Sequence, residues 1–304
     1  MDDVIRVFVG ADRSQALAVE TLARSIHRHT DRKVEVRTLL GVDLPEPRDP
    51  RQGSRTNFSF ARFAIPELTG WQGRAIYLDA DMQVFRDIGE LWDIPMNGAK
   101  ILIQEEIPEA LAEPNKVGAP SRRIKQCSVM VIDCAATGWN VRDIVAGLDG
   151  QYTYEELMYH MCILKEDEVG YRVPFHWNSL EHFDETTGLI HYTDMNTQPW
   201  VSPDNVLGPI WLRLVNEMLA EGALARSTLQ TEIDLGYFRP SLIDELREMP
   251  HEQGFDPEAA ARYAALDRKA GFIKHAEVYT RKRERERLVK AALAAAAEPG
   301  LLVI

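Results

Sequence analysis

Apolar residues along this 304-residue chain fall into short continuous runs separated by stretches with a helical repeat. Val7, Phe8 and Val9 belong to a run over residues 5–9 that stops at Gly10. The next apolar positions, Val19, Leu22, Ala23 and Ile26, recur at the three- and four-residue spacing of one helix face, and Asp12 or Ser14 can cap that helix. Further strands are predicted over residues 34–40, 74–78, 99–103, 128–133, 171–173 and 189–192. Between them the pattern predicts a loop over 41–53 carrying Pro45, Pro47 and Pro50, and a short helix over 58–68 interrupted near Pro66. A helical turn over 87–92 and a helix over 155–164 complete this part. Strand runs that are apolar at consecutive positions are buried on both faces, which indicates a mainly parallel sheet covered by helices. From about residue 205 the pattern is helical throughout, including a helix with Asp256 as its cap and Pro257 at its first position. The expectation is an α/β fold with a sheet domain over residues 1–205 and a helical C-terminal extension over 206–304.

Composition narrows the class. The chain is 45% hydrophobic and 27% charged, ordinary for a globular protein, and its formal net charge of −12 excludes a dedicated nucleic-acid binder. Cys127, Cys134 and Cys162 lack zinc-type spacing and read as reduced core thiols. The acidic start, Met1-Asp2-Asp3, does not resemble a signal peptide, and the alanine-rich run over 291–297 is too short to span a bilayer. A cytoplasmic protein is expected, with at most peripheral membrane contact through Arg281, Lys282, Arg283, Arg285 and Arg287. Glu284 and Glu286 in the same stretch favour a solvated helix face instead.

The run over 74–78 ends in Asp79-Ala80-Asp81. In open α/β sheets ligands gather at the carboxyl ends of strands, and two carboxylates one residue apart there can share a hard cation. A strand that merely ends in a polar turn is the alternative reading. The first turn, Gly10-Ala11-Asp12, can cradle a nucleotide but lacks both the dinucleotide fingerprint and the P-loop signature.

Together, several stretches resemble the retaining nucleotide-sugar glycosyltransferases of family 8. The residues that carry this are Val7 to Asp12, Phe60-Ala61-Arg62-Phe63, Tyr77-Leu78-Asp79-Ala80-Asp81, Ser128 to Asp133, and His191-Tyr192 followed by Gln198-Pro199-Trp200. The resemblance runs in the family's order over residues 4–215. It implies a GT-A fold in which Asp79, Asp81 and His191 hold Mn²⁺ (or Mg²⁺) against the diphosphate of a UDP-sugar. A cation there stabilises the charge that grows as the sugar–phosphate bond breaks. By the same resemblance Gly10, Ala11, Asp12 and Gln15 meet uracil and ribose, Ala80 and Trp200 lie in the donor site, and Arg62 reaches the donor with its planar fork. The implied reaction moves a hexose to a saccharide, lipid-linked or small-molecule acceptor.

The departures from the family pattern fall around the sugar and the diphosphate. Gln126 stands where the family has Asn, and Tyr154-Glu155-Glu156 replaces an Asp-Gln-Asp segment near the anomeric carbon. Glu155 is a candidate nucleophile, set against front-face attack in which the leaving phosphate takes the acceptor's proton. Glu155 and Glu156 can also simply favour a helix start. Gln198 replaces a diphosphate-binding Lys, a lost charged hydrogen bond worth about 1.5–3 kcal/mol. Arg62 is one candidate replacement, and the cluster Arg122, Arg123 and Lys125, at the end of a polar stretch over 104–125, is the other, with Arg123 or Arg122 as the cation expected at the phosphates. Two other classes compete. A non-catalytic nucleotide-sugar sensor would keep the uridine and metal residues, and a haloacid dehalogenase-type phosphatase would also use Asp-x-Asp. The position of Gln83 and the 75 residues ahead of the motif disfavour the phosphatase.

Overall fold

The computed structural model describes residues 4–105 except 55 and 57, residues 125–248, residues 254–281 except 279, and residues 284 and 288. The chain divides into two compact units, residues 1–193 and 194–304.

The first unit opens with β1 (Val4–Gly10), a 3-10 turn at Arg13–Gln15, α1 (Ala16–Arg28) and β2 (Lys33–Thr38). There follow a 3-10 turn at Ala61–Ala64 leading into α2 (Ile65–Leu68), then β3 (Arg74–Asp79), β4 (Met82–Val84), α3 (Gly89–Trp92) and β5 (Ile101–Gln104). After the undescribed residues 106–124 come β6 (Val129–Asp133), α4 (Cys134–Thr137), α5 (Val141–Gly147), α6 (Tyr154–His160), β7 (Val169–Val173), β8 (Ser179–Leu180) and β9 (Leu189–His191).

Six strands form a mixed sheet in the order β2-β1-β3-β6-β5-β7. β1 is parallel to both β2 and β3, and β5 is parallel to β7, while β6 runs antiparallel to β3 and β5. The expected mainly parallel α/β architecture is therefore present. Consecutive residues of β3 serve opposite faces, as the pleat requires. Ala75 and Tyr77 pack with Phe8, Met130, Phe63 and Leu157, whereas Ile76 and Leu78 pack with Val7, Val9, Leu22, Ile26 and Leu91. Two such cores, one on each face, explain why the strand is apolar throughout.

Several local expectations are corrected. The strand expected over 74–78 is present as β3, and a further, unexpected strand follows Asp81, where β4 leaves the main sheet and joins a second one of order β4-β9-β8. Pro66 lies in the first turn of α2, where its missing N–H costs nothing, and so starts a helix instead of interrupting one. The helix expected to reach residue 164 stops at His160, since Met161 turns left-handed (φ 49°) and its N–H bonds to Leu157 O. Cys127 and Cys134 are buried, but Cys162, just beyond that break, is exposed and is no core thiol.

The second unit contains α7 (Gly208–Ala220), α8 (Arg226–Asp234), α9 (Leu242–Glu248) and α10 (Pro257–Lys269), with Asp256 capping α10 through Glu258 and Ala259 N–H. Trp200, Trp211 and Phe238 pack together there around ring distances of 5.4–6.2 Å. The buried Arg239 donates to Pro199 O and Ser241 Oγ and pairs with Glu245. Among the described residues no helix is long and apolar enough to cross a membrane. Of the basic tail, Arg281 pairs with Glu277 one turn earlier, and Lys282, Arg283, Arg285 and Arg287 lie outside the described residues.

Candidate active site

β1 lies between β2 and β3, so the chain reverses direction across the sheet at β1, and the crevice beyond the carboxyl ends of β1 and β3 is where such sheets bind ligands. The register places Gly10 beside Asp79, and Ala80 N–H donates to Gly10 O at 3.0 Å. Because β6 is antiparallel, its entrance meets the same end of the sheet: Asp79 N–H donates to Ser128 O at 3.2 Å. Thus Gly10, Asp79 and the Gln126–Ser128 segment share one edge.

Beyond β1 the turn is rigid. Asp12 accepts from Ser14 N–H at 2.8 Å and from its hydroxyl, and Gln15 Oε1 accepts in return from Asp12 N–H at 3.4 Å, a capping box that buries Ala11, Asp12 and Gln15. Gly10 has no room for a side chain, since a Cβ there would stand 2.3 Å from the Tyr77 hydroxyl.

That hydroxyl donates to Asp79 Oδ1 at 2.6 Å and accepts from Arg62 Nη2 at 3.2 Å. Arg62 is only 7% exposed, so the surface salt bridge that a helix arginine usually makes is not its role here. It donates to Cys127 O at 2.5 Å, and its Nη2 stands 3.7 Å from Asp79 Oδ1. Burial favours the neutral guanidine, but Tyr77 and Asp79, ahead of Cys127 and Tyr154, outweigh it and hold Arg62 firmly protonated. Burial pushes the Tyr77 phenol well above its ordinary value, so it stays a donor to Asp79. The Arg62 Nε–H is buried with no acceptor among the described residues.

The third group arrives from the small sheet. β4 follows directly from Asp81 and pairs antiparallel with β9, setting Met82 opposite His191, and Tyr192 N–H donates to Asp81 O at 2.8 Å. Ligand atoms of Asp79, Asp81 and His191 then all lie within 4.8 Å of one another. His191 is 5% exposed, with Nε2 at 3.2 Å from Asp81 Oδ1 and Nδ1 at 2.9 Å from Asn178 Oδ1. Burial alone lowers the pKa of His191, but the charge of Asp81 and its hydrogen bond, then Asp79 and Glu181, reverse this and raise it. With Nδ1–H donated to Asn178, a neutral ring would face Asp81 lone pair to lone pair. A proton or a cation belongs between them. Two carboxylates and one imidazole suit Mn²⁺ or Mg²⁺ better than a thiolate-seeking metal, so the residues present fit the expected ion.

The remaining expected site residues are placed as follows. Gln126 is buried, 7% exposed, at the shared sheet edge. Glu155 is exposed in the first turn of α6. Glu156 is occupied in a capping box, where its Oε2 accepts from Thr153 N–H at 2.7 Å and from Thr153 Oγ1 at 2.9 Å. The structure thus gives Glu156 the role of holding a helix start. Arg122 and Arg123 lie outside the described residues. Lys125, their neighbour in the sequence, is buried and donates to Glu166 at 2.7 Å and to the Tyr171 hydroxyl. Gln198 and Trp200 belong to the second unit and are both buried; Gln198 N–H donates to Asp194 O, and its carbonyl accepts from Val201 and Ser202. Three side chains at the site carried no expected role: Tyr77, Asn178 and Gln104. Tyr77 stands in the motif that runs to Asp81 but without an assigned role, and Asn178 has no local pattern that marks it.

The fold and this edge define an α/β chain of GT-A type, the architecture of nucleotide-sugar glycosyltransferases. Residues 7–140 match the family model described as glycosyl transferase family 8, so the resemblance expected from the motifs is borne out over that range. His191 lies beyond the matched residues and joins the group through the geometry above. Protein CDI of Arabidopsis thaliana is 28% identical over 231 residues, covering 70% of this chain and 86% of that protein. Among solved structures, galactosyltransferase LgtC in complex with donor and acceptor sugar analogs superposes with a TM-score of 0.53 at 14% identity, over 75% of this chain and 100% of that one. The WbbM bifunctional glycosyltransferase gives a TM-score of 0.50 at 14% identity, over 71% of this chain and 50% of that one, so this chain spans about half of that enzyme's length. At these identities the structures speak for the fold. The fold and the family match over residues 7–140 together support a glycosyltransferase.

Proposed function

We propose that the protein is a metal-dependent retaining glycosyltransferase that moves a hexose from a UDP-sugar to an acceptor hydroxyl in the cytoplasm. The observation that carries this reading is the convergence of Asp79, Asp81 and His191 within 4.8 Å of one another at the carboxyl end of β3. Those three side chains would hold Mn²⁺ or Mg²⁺, which supplies Lewis-acid stabilisation to the departing diphosphate. Gly10, Ala11, Asp12 and Gln15 form the rigid turn suited to uracil and ribose. Arg62 contributes a second positive charge, and its Nε–H, without an acceptor among the described residues, is a buried donor that an oxygen of the donor substrate would satisfy; leaving such a group unmet costs about 1–3 kcal/mol. Gln126 stands at the edge where the sugar would lie and is the candidate determinant of which hexose is taken. The acceptor is a saccharide, a lipid-linked sugar or a small molecule.

Incubation with UDP-sugars and Mn²⁺ tests this directly. Release of UDP with transfer of the sugar is the expected outcome, an α-linked donor should give an α-linked product by NMR, and excess chelator should abolish turnover. Asp81→Ala should lower kcat by roughly a hundredfold or more, the scale on which loss of a transition-state charge stabiliser acts. Release of inorganic phosphate would replace this reading with a phosphatase, and tight binding of UDP-sugar without turnover would replace it with a sensor.

A further inference from the structure

His191 is held from behind by a chain of amides that belongs to three separate elements. Gln104 is the last residue of β5, Asn178 follows the 3-10 turn Phe175–Trp177, and His191 ends β9. All three are buried, at 3%, 3% and 5% exposure. Asn178 Nδ2 donates to Gln104 Oε1 at 2.7 Å, and Asn178 Oδ1 faces His191 Nδ1 at 2.9 Å. An amide has one donor end and one acceptor end. In this arrangement the donor end of Asn178 meets Gln104 and its oxygen meets the imidazole, and an oxygen can partner Nδ1 only when Nδ1 carries a proton. The platform beneath is tight: a Cβ at Gly188, on the approach to β9, would stand 3.1 Å from the rings of His176 and Trp177 and push them by a few tenths of an ångström, and the Gly188 N–H bonds to His176 O at 2.7 Å.

We infer that Gln104 and Asn178 are positioning residues that keep the proton of His191 on Nδ1 and so turn the Nε2 lone pair toward Asp79 and Asp81. Neither touches the reacting groups. Their effect on transfer rests on the reading of Asp79, Asp81 and His191 as a cation site, but their effect on the imidazole does not. An imidazole that ligates through one nitrogen needs its other N–H fixed by an acceptor, and loss of such an acceptor typically weakens metal binding about 10- to 100-fold. Here the acceptor is a neutral amide, itself oriented by a second amide.

The experiment uses the full chain labelled with ¹⁵N-histidine, read by long-range ¹H–¹⁵N correlation with and without Mg²⁺, and Mn²⁺ affinity measured by electron paramagnetic resonance. In the unsubstituted protein His191 Nδ1 should be protonated in both states, including above the pH at which the ring loses its charge. Asn178→Leu keeps the volume and removes the acceptor; it should lose the protected Nδ1 proton and weaken Mn²⁺ binding about 10- to 100-fold. Asn178→Asp restores an acceptor and should restore both. Gln104→Met does not touch the imidazole and should shift both readouts in the same direction as Asn178→Leu. A purely packing role predicts the reverse order, with Leu tolerated and the buried Asp harmful. Protonation at Nε2 instead of Nδ1 in the neutral, unsubstituted protein would overturn the inference, and so would unchanged spectra and affinity in Asn178→Leu. Should Nδ1 prove protonated and dependent on Asn178 while no Mn²⁺ binds, the positioning role stands and the cation-dependent function falls.

Discussion

The Tyr77 hydroxyl connects three residues of the candidate site, donating to Asp79 at 2.6 Å, accepting from Arg62, and filling the space above Gly10. Removing it in Tyr77→Phe leaves Arg62 and Asp79 without that link, at a cost of about 1–3 kcal/mol for buried polar groups left unmet. Gly10→Ala attacks the same point from below, and forcing a Cβ into a filled space costs about 1–3 kcal/mol. The two substitutions share one contact, so their effects should not add. In a double-mutant cycle on thermal unfolding, Gly10→Ala should cost less in the Tyr77→Phe background than alone, although Phe58 at 3.0 Å retains part of the penalty. Strict additivity would show that the hydroxyl is not what the glycine accommodates. This scale also shows what the sequence could and could not reveal. Asp79 and Asp81 are two residues apart at the end of one apolar run, so their convergence is local and readable. Asn178 and Gln104 act through contacts between β5, β9 and the turn after β7, and Tyr77 joins Arg62 and Gly10 from other elements, and no spacing along the chain records those contacts.

At the scale of elements, the start of α6 shows how one short pattern supports two readings. Thr153 followed three residues later by Glu156 is the signature of a capping box, and the structure uses it as one. The same glutamate, set against a family segment near the sugar, reads as a catalytic candidate. Thr153→Ala should therefore lower stability by about 0.5–2 kcal/mol, measured by denaturant unfolding, as other lost caps do. The junction of the polar stretch with β6 makes a second prediction. The hydrogen bond from Lys125, then that from Tyr171, holds the Glu166 carboxyl below its ordinary value. Burial alone would lower the ammonium of Lys125, but Glu166 and Tyr171 outweigh it and raise it. A depressed carboxyl contributes stability above its unfolded pKa, about 4.3, that is lost as pH falls through the folded value; a raised ammonium contributes stability below about 10.4 that is lost as pH rises through its own folded value. Glu166→Gln should lower the melting temperature at neutral pH, modestly because Glu166 is largely exposed, and change it little at pH values below the folded pKa of Glu166, so that the acid limb of melting temperature against pH flattens. The strand runs themselves were readable because burial on both faces makes them continuously apolar. The departure of β4 into a second sheet was not, since Met82 to Val84 is as apolar and buried in one sheet as it would be in the other.

At the scale of the whole molecule, the candidate site places two carboxylates beside each other in a chain whose formal net charge is already −12. Like charges held within a few ångströms, part buried, raise the free energy of the folded state relative to an unfolded chain in which they separate. His191 and Arg62 offset this only in part, because the imidazolium meets Asp81 while Arg62 is shared among Asp79, Tyr77 and Cys127. A divalent ion bound only by the folded form should therefore stabilise the protein by mass action, about 2.7 kcal/mol at a hundred times its dissociation constant. Melting temperature should climb with Mn²⁺ concentration and return when chelator is added. Asp81→Ala should behave oppositely in two respects: it removes one of the repelling carboxylates, so the metal-free protein should lose little stability, and it removes a ligand, so the dependence on Mn²⁺ should vanish. Hydrogen exchange adds the location, because protection gained on Mn²⁺ addition should concentrate in residues 76–84 and 188–192, the strands that carry the three ligands. A metal-induced rise that persists undiminished in Asp81→Ala, or protection that appears elsewhere, would mean that the ion binds at another place and that Asp79, Asp81 and His191 form only a polar junction between the two sheets.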